Sequence, residues 1–300
     1  MTIACDTDQQ ARVISHFGNE ILICDEAGQR RRATARQDTP ALVCGDKIIW
    51  QLTEFDDAVI VGLQERHGIL TRSTPFKTNK LIAANVDIAL VVCSHKPKLN
   101  TGLLDRYLAA CELARIDLHI VFNKIDTLKD NISKPIKEQL SLYETIGYPV
   151  HYISAKQMQG IDTLRQALLT KTSVLVGQSG AGKSSIIRAL LPTARPKVAE
   201  VSDKTNKGRH TTTNSELYTL DKHSYVIDSP GIREFGLGTI EPGQLAAGFR
   251  EFQPHLGECR FRNCTHLNEP GCAILKAIEK NEISILRVES YKNIMASLKP

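Results

Sequence analysis

Aromatic side chains and long apolar runs are scarce in this sequence of 300 residues. Phe, Trp and Tyr together make up 5% of the chain, so we expect a core built mostly from aliphatic side chains. No stretch approaches the roughly 18 uncharged apolar residues that a membrane-spanning helix needs, so the sequence predicts no membrane span. The first residues lack a basic segment followed by an apolar one, which predicts no signal peptide and a cytoplasmic protein.

The charge of the chain is unevenly distributed. The formal net charge is +5, and the positive excess lies in residues 76–235, which hold 22 Lys and Arg against 15 Asp and Glu. Residues 1–75 are acidic, with 8 Lys and Arg against 11 Asp and Glu. An excess of this size is compatible with RNA contact without establishing it. The length indicates two or three domains.

The first 68 residues contain short strand patterns separated by Gly-Asn, Ala-Gly and Gly-Asp turn signals. Such closely spaced strands predict a small closed barrel. We expect an OB-fold, whose face and loops often bind single-stranded nucleic acid, although an SH3-like barrel gives nearly the same pattern. Arg30, Arg31, Arg32 and Arg36 either contact phosphate or form a solvated strand edge. The predicted strands are 11–17, 20–24, 30–36, 47–52 and 58–63.

Residues 69–79 lack periodicity and are predicted to form a linker. From about residue 80, apolar strands alternate with amphipathic helices, which predicts a mostly parallel, doubly wound α/β sheet with ligands at the carboxyl ends of its strands. The predicted strands are 88–93, 118–122, 150–153, 173–176, 216–220 and 224–227, and the predicted helices are 103–114, 135–145, 161–168 and 183–191. Residues 240–300 have a mainly helical pattern.

A glycine-rich segment after one of these strands fits the phosphate-loop pattern G-x-x-x-x-G-K-[ST]. It opens a predicted helix, and this context of strand, loop and helix separates a phosphate loop from a chance match. Its backbone N–H groups can wrap phosphates, Lys183 is expected to bridge the β- and γ-phosphates, and the Ser184 hydroxyl is expected to bind Mg²⁺. The loop consists of Gly177, Gln178, Ser179, Gly180, Ala181, Gly182, Lys183 and Ser184.

The tetrapeptide N-K-I-D, at the end of another predicted strand, matches the guanine-recognition motif N-K-x-D. Its aspartate can accept hydrogen bonds from both N1–H and the N2 amine of guanine, whereas adenine would leave the carboxylate unpaired. An S-A-K turn follows a later strand and is expected to offer a backbone N–H to guanine O6. The residues of the two motifs that we expect to bind the nucleotide are Asn123, Lys124, Asp126, Ser154, Ala155 and Lys156.

A D-x-x-G element completes the set of motifs. Asp228 is expected to hold Mg²⁺ through water, and the N–H of Gly231 is expected to meet the γ-phosphate. The following Ile232 cannot orient an attacking water, as the glutamine found there in many Ras-like enzymes does. His210, in the polar stretch before this element, is expected to take that role, the alternative being a solvent-facing loop histidine. Thr212, or a neighbouring threonine, is expected to complete the Mg²⁺ shell.

The order of these motifs is unusual. In Ras-like GTPases the phosphate loop comes first, D-x-x-G second and N-K-x-D last, whereas here N-K-x-D comes first and D-x-x-G last. This is the order that a circular permutation produces. The chain therefore leaves the predicted GTPase directly after the element that senses the γ-phosphate.

A group of three cysteines and one histidine follows within 14 residues, in the spacing C-x4-C-x-H-x5-C. Three thiolates and one imidazole match a closed, tetrahedral structural zinc site with no ligand position left for water. Zinc would supply folding energy to a segment too short to have a core of its own. The predicted ligands are Cys259, Cys264, His266 and Cys272.

Taken together, these motifs in this order resemble one family, the bacterial ribosome-small-subunit-dependent GTPases (RsgA, also called YjeQ). The resemblance implies an N-terminal OB-fold, a permuted GTPase and a C-terminal zinc domain. It also implies a late maturation factor of the small ribosomal subunit whose GTP hydrolysis that subunit stimulates. In this family the histidine that matches His210 is the proposed catalytic residue.

The expected organisation follows from the motifs and the resemblance. We expect a monomer that binds GTP and GDP, the small subunit and its rRNA, with no membrane partner. Two other functions stay open: a non-ribosomal regulatory GTPase with a protein effector, and, less favoured because its key residues are intact, an RNA-binding module with an inactive nucleotide site. The expected domains are an OB-fold barrel (1–68), a linker (69–79), a permuted α/β phosphate-loop GTPase (80–236) and a mainly helical zinc-binding domain (237–300).

Overall fold

A closed five-stranded barrel forms the amino-terminal part of the computed structural model, which describes residues 8–17, 20–73, 79–128, 134–191, 215–228, 240 and 242–298. Its strands are β1 (Gln9–Phe17), β2 (Glu20–Asp25), β3 (Arg30–Ala35), β4 (Lys47–Leu52) and β5 (Ala58–Leu63). Their order is β1-β2-β3-β5-β4, with β3 and β5 parallel and the other pairs antiparallel. This is the strand order of the OB-fold, so that prediction is confirmed and the SH3-like alternative is set aside.

The barrel interior is filled by every second residue of its strands. Val13, Ile48, Trp50 and Ile60 are completely buried there, as expected for strands whose side chains alternate between two faces. The pairing register shifts once in β1 and once between β4 and β5. Such bulges bend strands and increase their twist, which a barrel of so few strands needs in order to close.

The segment predicted as a linker includes a β-strand. It contains β6 (Leu70–Ser73), which pairs with β7 (Asn79–Ala83) in an antiparallel hairpin. Leu70 is fully buried although its neighbours in sequence show no periodicity, because it packs into the main hydrophobic core. After β7, the N–H of Ala84 donates to the carbonyl of Cys44 (3.0 Å), and the Asn85 amide donates to the carbonyl of Gly45 (3.0 Å). The barrel is therefore bonded directly to the segment that enters the next domain.

A six-stranded sheet forms the centre of the molecule. Its strands are β8 (Ile88–Ser94), β9 (Asp117–Asn123), β10 (Val150–Tyr152), β11 (Thr172–Gly177), β12 (Glu216–Thr219) and β13 (Tyr225–Asp228). The order is β10-β9-β8-β11-β13-β12, parallel throughout except for β12, which pairs antiparallel with β13 at the edge. Every residue of β8 and β11 is buried, as parallel strands covered on both faces must be. The predicted doubly wound sheet is confirmed.

Helices cover both faces of this sheet. Alternate residues of β8 enter two separate cores: Ala89, Val91 and Cys93 face α1 and α2, whereas Leu90 and Val92 face α3 and α4. None of the helices in the described part of the chain is long and apolar enough to cross a membrane. The four helices are α1 (Thr101–Leu113), α2 (Lys134–Ile146), α3 (Ile161–Ala167) and α4 (Lys183–Leu190).

The C-terminal segment is mainly helical, as predicted, and packs on the outer side of α1. It contains two 3₁₀ helices (Pro242–Gly248 and Arg250–His255), followed by α5 (Ala273–Glu279) and α6 (Ile285–Leu298). Phe249, Phe252 and Tyr291 are buried and contact one another with ring centroids 5.0–5.4 Å apart, the two phenylalanines stacked and Tyr291 edge-on to Phe249. These rings belong to the same core as the α1 side chains. The few aromatic residues of the chain thus help to seal this junction, each pair adding about 0.5–1.5 kcal/mol beyond area burial.

The contact between barrel and sheet leads to a test at Gly45. Its φ is +93°, and a Cβ there would lie 2.2 Å from the carbonyl oxygen of Ala84. Gly45→Ala therefore has to displace backbone, and we expect it to lower the free energy of unfolding of the barrel by about 3 kcal/mol. The measurement is urea unfolding followed by fluorescence of Trp50, the one tryptophan in the sequence and part of the barrel core.

Gly28→Ala is the matched control. Gly28 has a similar φ of +81° but nothing within 4 Å of its hypothetical Cβ, so only the backbone penalty of about 1 kcal/mol is expected. Equal losses in the two variants would show that the approach of Ala84 does not matter.

Candidate nucleotide and metal sites

The predicted nucleotide motifs meet at one end of the strands of the sheet. N-K-I-D begins at the end of β9, the phosphate loop begins at the end of β11, and Asp228 is the last residue of β13. These are carboxyl ends of parallel strands, the usual place for a ligand in this type of sheet. Motifs up to 105 residues apart in sequence, from Asn123 to Asp228, therefore line a single region.

The phosphate loop follows the strand-loop-helix arrangement that its sequence predicts. Gly182 ends the loop with a φ of +102°, and a Cβ at this position would lie 2.3 Å from the amide nitrogen of Asn123, so only glycine fits there. Lys183 begins α4 and its ammonium group donates to the carbonyls of Gly177 (2.8 Å) and Gln178 (3.0 Å). The side chain of Lys183 therefore reaches back to the first two residues of the loop, and the next residue, Ser184, is exposed.

The buried side chain of Asn123 joins three loops. Its amide nitrogen donates to the carbonyl of Ala181 in the phosphate loop (3.0 Å), and its amide oxygen accepts from the N–H of Ala155 in the S-A-K turn (3.1 Å). Lys124 adds a second link, because its ammonium donates to the carbonyls of Gly180 and Lys96 at 2.6 Å each. The base-recognition and phosphate-binding segments are thus held at a fixed separation.

Asp126 is oriented by the S-A-K turn. The hydroxyl of Ser154, which is completely buried, donates to Oδ1 of Asp126 at 2.6 Å and accepts from the N–H of Gln157 at 3.1 Å. Asp126 and Lys156 line a cavity of about 530 Å³, a size typical of small-molecule sites. Sequence reasoning missed five residues that also line it, three of them on α4: Thr127, Met158, Ser185, Arg188 and Ala189.

Asp228 lies beside a second acidic residue that sequence reasoning missed. Glu216, the first residue of β12, is its cross-strand partner, so both side chains emerge on the same face. Burial raises the pKa of Asp228, the charge of Glu216 raises it further, and the ammonium of Lys183 lowers it. A divalent cation would relieve this repulsion, so the Asp228 carboxylate, together with the exposed Ser184 hydroxyl of the phosphate loop, offers oxygen ligands of the kind that Mg²⁺ binds. His210, Thr212 and Gly231 lie outside the described residues.

The four predicted metal ligands come together in the C-terminal segment. One ligand atom from each of Cys259, Cys264, His266 and Cys272 lies within 4.8 Å of the others. Nδ1 of His266 is 3.5 Å from the sulfur of Cys259 and 3.5 Å from that of Cys272, and these two sulfurs are 3.9 Å apart. Ligands around a tetrahedral Zn²⁺ are separated by about 3.5–3.8 Å, given its bond lengths. The cluster therefore fits such an ion, with His266 binding through Nδ1.

Glu269 organises the loop between these ligands. Its carboxylate accepts the N–H groups of Thr265 (2.8 Å), Leu267 (2.9 Å) and Asn268 (3.1 Å), and also the Thr265 hydroxyl (2.5 Å). Burial works to raise the pKa of Glu269, but these hydrogen bonds outweigh it and lower the pKa to about 2. Since His266 lies inside the bonded segment, the carboxylate holds this ligand in place without binding the metal itself.

Comparison with known proteins gives a consistent result. The family model described as RsgA GTPase matches residues 63–238. The small ribosomal subunit biogenesis GTPase RsgA of Hahella chejuensis is 42% identical over 295 residues, which cover 97% of this chain and 85% of the relative. The protein of the same name from Pseudomonas aeruginosa (strain LESB58) is 42% identical over 291 residues, covering 97% and 86%.

Two solved structures share the whole architecture. The crystal structure of YjeQ from Thermotoga maritima superposes with a TM-score of 0.79 at 28% identity, covering 97% of this chain and 99% of that one. The structure of YloQ, described as a circularly permuted GTPase, gives a TM-score of 0.77 at 26% identity, covering 100% and 99%.

The carboxylate of Glu269 provides a test of the metal cluster that leaves all four ligands in place. In Glu269→Gln one acceptor oxygen becomes a donor, so N–H groups of the loop lose their partner. We expect metal transfer to a coloured chelator to become about tenfold faster, within the range for residues that support metal ligands. Glu258→Gln, which alters an exposed carboxylate next to Cys259, should leave the rate unchanged. Identical rates in Glu269→Gln and the parent protein would contradict this role.

Proposed function

Since the chain belongs to the RsgA family of GTPases, we propose that it hydrolyses GTP to GDP and phosphate as a late maturation factor of the small ribosomal subunit. The observation that carries this proposal is the permuted nucleotide site, in which all described motif residues converge at one sheet edge. It is supported by identity to relatives named for small-subunit biogenesis along 97% of the chain.

Each part of the nucleotide has a proposed partner. The carboxylate of Asp126 recognises the N1–H and N2 amine of guanine, and the cavity beside it takes the base. The phosphate loop and Lys183 bind the phosphates with N–H groups and a cation. Ser184 and Thr212 bind Mg²⁺ directly, Asp228 binds it through water, and Gly231 meets the γ-phosphate. The remaining nucleotide contacts are those of Asn123, Lys124, Ser154, Ala155, Lys156, Gly177, Gln178, Ser179, Gly180, Ala181 and Gly182.

His210 is the proposed catalytic residue. The position after Gly231 is Ile232, an aliphatic side chain that cannot orient the attacking water. A histidine in the preceding polar segment can both donate and accept hydrogen bonds and can fill this role. Intrinsic hydrolysis is then slow, and the small subunit stimulates it.

The Cys₃His cluster is proposed to hold one structural zinc ion per chain. Its four ligands leave no open position, so the ion contributes folding energy rather than chemistry. We propose domains at 1–68, 80–236 and 237–300, with 69–79 joining the first two. The protein is a cytoplasmic monomer in this proposal.

Contact with rRNA is proposed for the barrel. Arg30 and Arg32 on β3 are exposed, and Arg32 forms only a solvated ion pair with Glu20 at 3.5 Å. Such a pair contributes little to stability, so both guanidinium groups can reach phosphate. Arg31 differs from them, because its guanidinium lies over the buried ring of Trp50 at 5.6 Å.

GTP is proposed to favour binding to the subunit and GDP to favour release. Residues 208–213 and 228–236 would order around the γ-phosphate and relax after hydrolysis. The second of these segments leads into the C-terminal domain, which could transmit the change. The competing function, a regulatory GTPase with a protein effector, would use the same switch without the ribosome.

Turnover in the presence of purified small subunits distinguishes the two functions. We expect small subunits to raise the rate of GTP hydrolysis by at least tenfold, equivalent to about 1.4 kcal/mol of barrier, with large subunits as the control. A rate that is the same with and without small subunits would overturn the ribosomal proposal while leaving the GTPase itself intact.

Replacement of the catalytic histidine should separate chemistry from binding. His210→Ala is expected to lower subunit-stimulated turnover about tenfold or more, because the attacking water loses its partner. Affinity for GTP should stay nearly unchanged, as measured by fluorescent-nucleotide titration. His223→Ala removes an exposed histidine between β12 and β13 and should have no effect on either quantity. Unchanged stimulated turnover in His210→Ala would assign the water to another residue.

The guanine pocket can be tested by changing its base preference. Asp126→Asn should lose GTP affinity and gain affinity for xanthosine triphosphate, since the amide can pair with the altered edge of that base. Asp162→Asn makes the same chemical change at an exposed position on α3 and should keep the preference for GTP. Equal turnover of ATP and GTP by the parent protein would show that Asp126 does not select the base.

A further inference from the structure

A buried ion network joins α1 to the C-terminal segment. Arg287 on α6 is 1% exposed and Asp105 on α1 is 2% exposed. One arm of the guanidinium forms a salt bridge with Asp105, and its Nε donates to the carboxylate of Glu251 at 2.5 Å. The hydroxyl of Tyr143 on α2 also donates to Asp105, at 2.8 Å. Four side chains from three parts of the fold are thus held in one arrangement.

This network is built for alignment more than for stability. Burial raises the pKa of Asp105, against the opposing effect of Arg287 and the surrounding hydrogen bonds. Charges buried in this way often contribute less stability than apolar residues of the same volume would, but separating the partners leaves an uncompensated buried charge, which is strongly destabilising. The guanidinium also lies 4.6 Å from the ring of Phe249. Any rotation of α6 on α1 would separate several bonded groups at once.

The same helix also lies close to the start of the phosphate loop. Helix α1 packs against β11, the strand that ends at Gly177. Leu104, the residue before Asp105, and Tyr107 line a small open pocket together with Gly177 and Gln178. A displacement of α1 would therefore shift the residues that are proposed to bind phosphate.

The loop that leads into α1 also contacts the nucleotide site. The carbonyl of Lys96 accepts from the ammonium of Lys124, which also bonds the carbonyl of Gly180. Pro97 lies against Gly180, with its Cδ 3.8 Å from where a Cβ would be. The side chain of Asn100 then caps α1 by accepting from the N–H of Leu103 at 3.0 Å. The helix is thus anchored at its start to the nucleotide site and one turn later to α6.

We propose that Asp105 and Arg287 are positioning residues that couple the C-terminal domain to the phosphate loop through α1. Nucleotide binding fixes the loop and the start of α1, and this stabilises the packing of α6. In return, the docked α6 holds α1 where the phosphate loop has its binding geometry. The two effects are equal in free energy, because coupling between two sites is reciprocal. The proposal depends on nucleotide binding by this GTPase site but not on its ribosomal role.

Amide hydrogen exchange of the full-length protein, with and without saturating GDP, tests this coupling. In the parent protein GDP should slow exchange in α6 about fivefold, the lower end of typical coupling between sites. In Asp105→Asn, which keeps the shape of the side chain but loses its charge, this effect of GDP on α6 should disappear. The variant should also bind GDP about fivefold more weakly, by the same reciprocity. A purely structural role would accelerate exchange in α6 equally with and without GDP.

Two further variants complete the experiment. Arg106→Ala removes another bond between α1 and α6, from Arg106 to the hydroxyl of Ser297 (2.7 Å), and should retain the full effect of GDP. Tyr143→Phe removes a single hydrogen bond of the network, so it gives a partial loss of the effect even if Asp105→Asn does not fold. GDP affinity is measured on the same samples, so failure of the nucleotide site itself is recognised separately. An unchanged effect of GDP in Asp105→Asn or Tyr143→Phe, or no effect in a parent protein that binds GDP, overturns the proposal.

Discussion

The buried amide of Asn123 is the interaction on which the arrangement of the nucleotide site depends. Donor and acceptor sit on one rigid group, so its bonds to Ala181 and Ala155 set the distance between the phosphate loop and the S-A-K turn. No other neutral side chain of that size offers both functions in one plane. A buried amide deprived of either partner would carry an unpaired polar group, which costs about 1–3 kcal/mol. The three loops therefore keep one geometry or lose it together.

The position of the nucleotide site could be predicted from the sequence because its motifs follow parallel strands. Each motif follows a strand with a strong apolar pattern, and the carboxyl ends of parallel strands must lie at the same sheet edge. Each predicted strand boundary lies within two residues of the observed one. For β4 and β5 the predicted and observed boundaries coincide. The Cys₃His spacing was equally informative, because four ligands so close in sequence can meet without help from the rest of the fold.

Contacts between distant segments carried no such signal. Glu216 stands beside Asp228 only because β12 turns back along β13, and the single-residue register of that pairing is invisible in the sequence. Asp105 and Arg287 are separated by 182 residues, and nothing in the sequence marks either as buried, because charged side chains usually lie on the surface. The hairpin of β6 and β7 was missed for a similar reason. Leu70 is buried by the main core, so its environment and not its neighbours decides its structure.

The permuted order of motifs and the docking of the C-terminal segment both bear on how the nucleotide state reaches that segment. Permutation places the γ-phosphate sensor directly before this segment, which alone would suggest a domain that swings freely at the end of a switch. The aromatic junction and the Asp105–Arg287 pair instead fasten it to α1. The C-terminal segment is connected along the chain to Asp228 and packed on α1, so it cannot move with one of them without straining its attachment to the other. The nucleotide state is then transmitted as a change in the strength of packing between α1 and α6, and a large rotation would require the buried ion pair to open first.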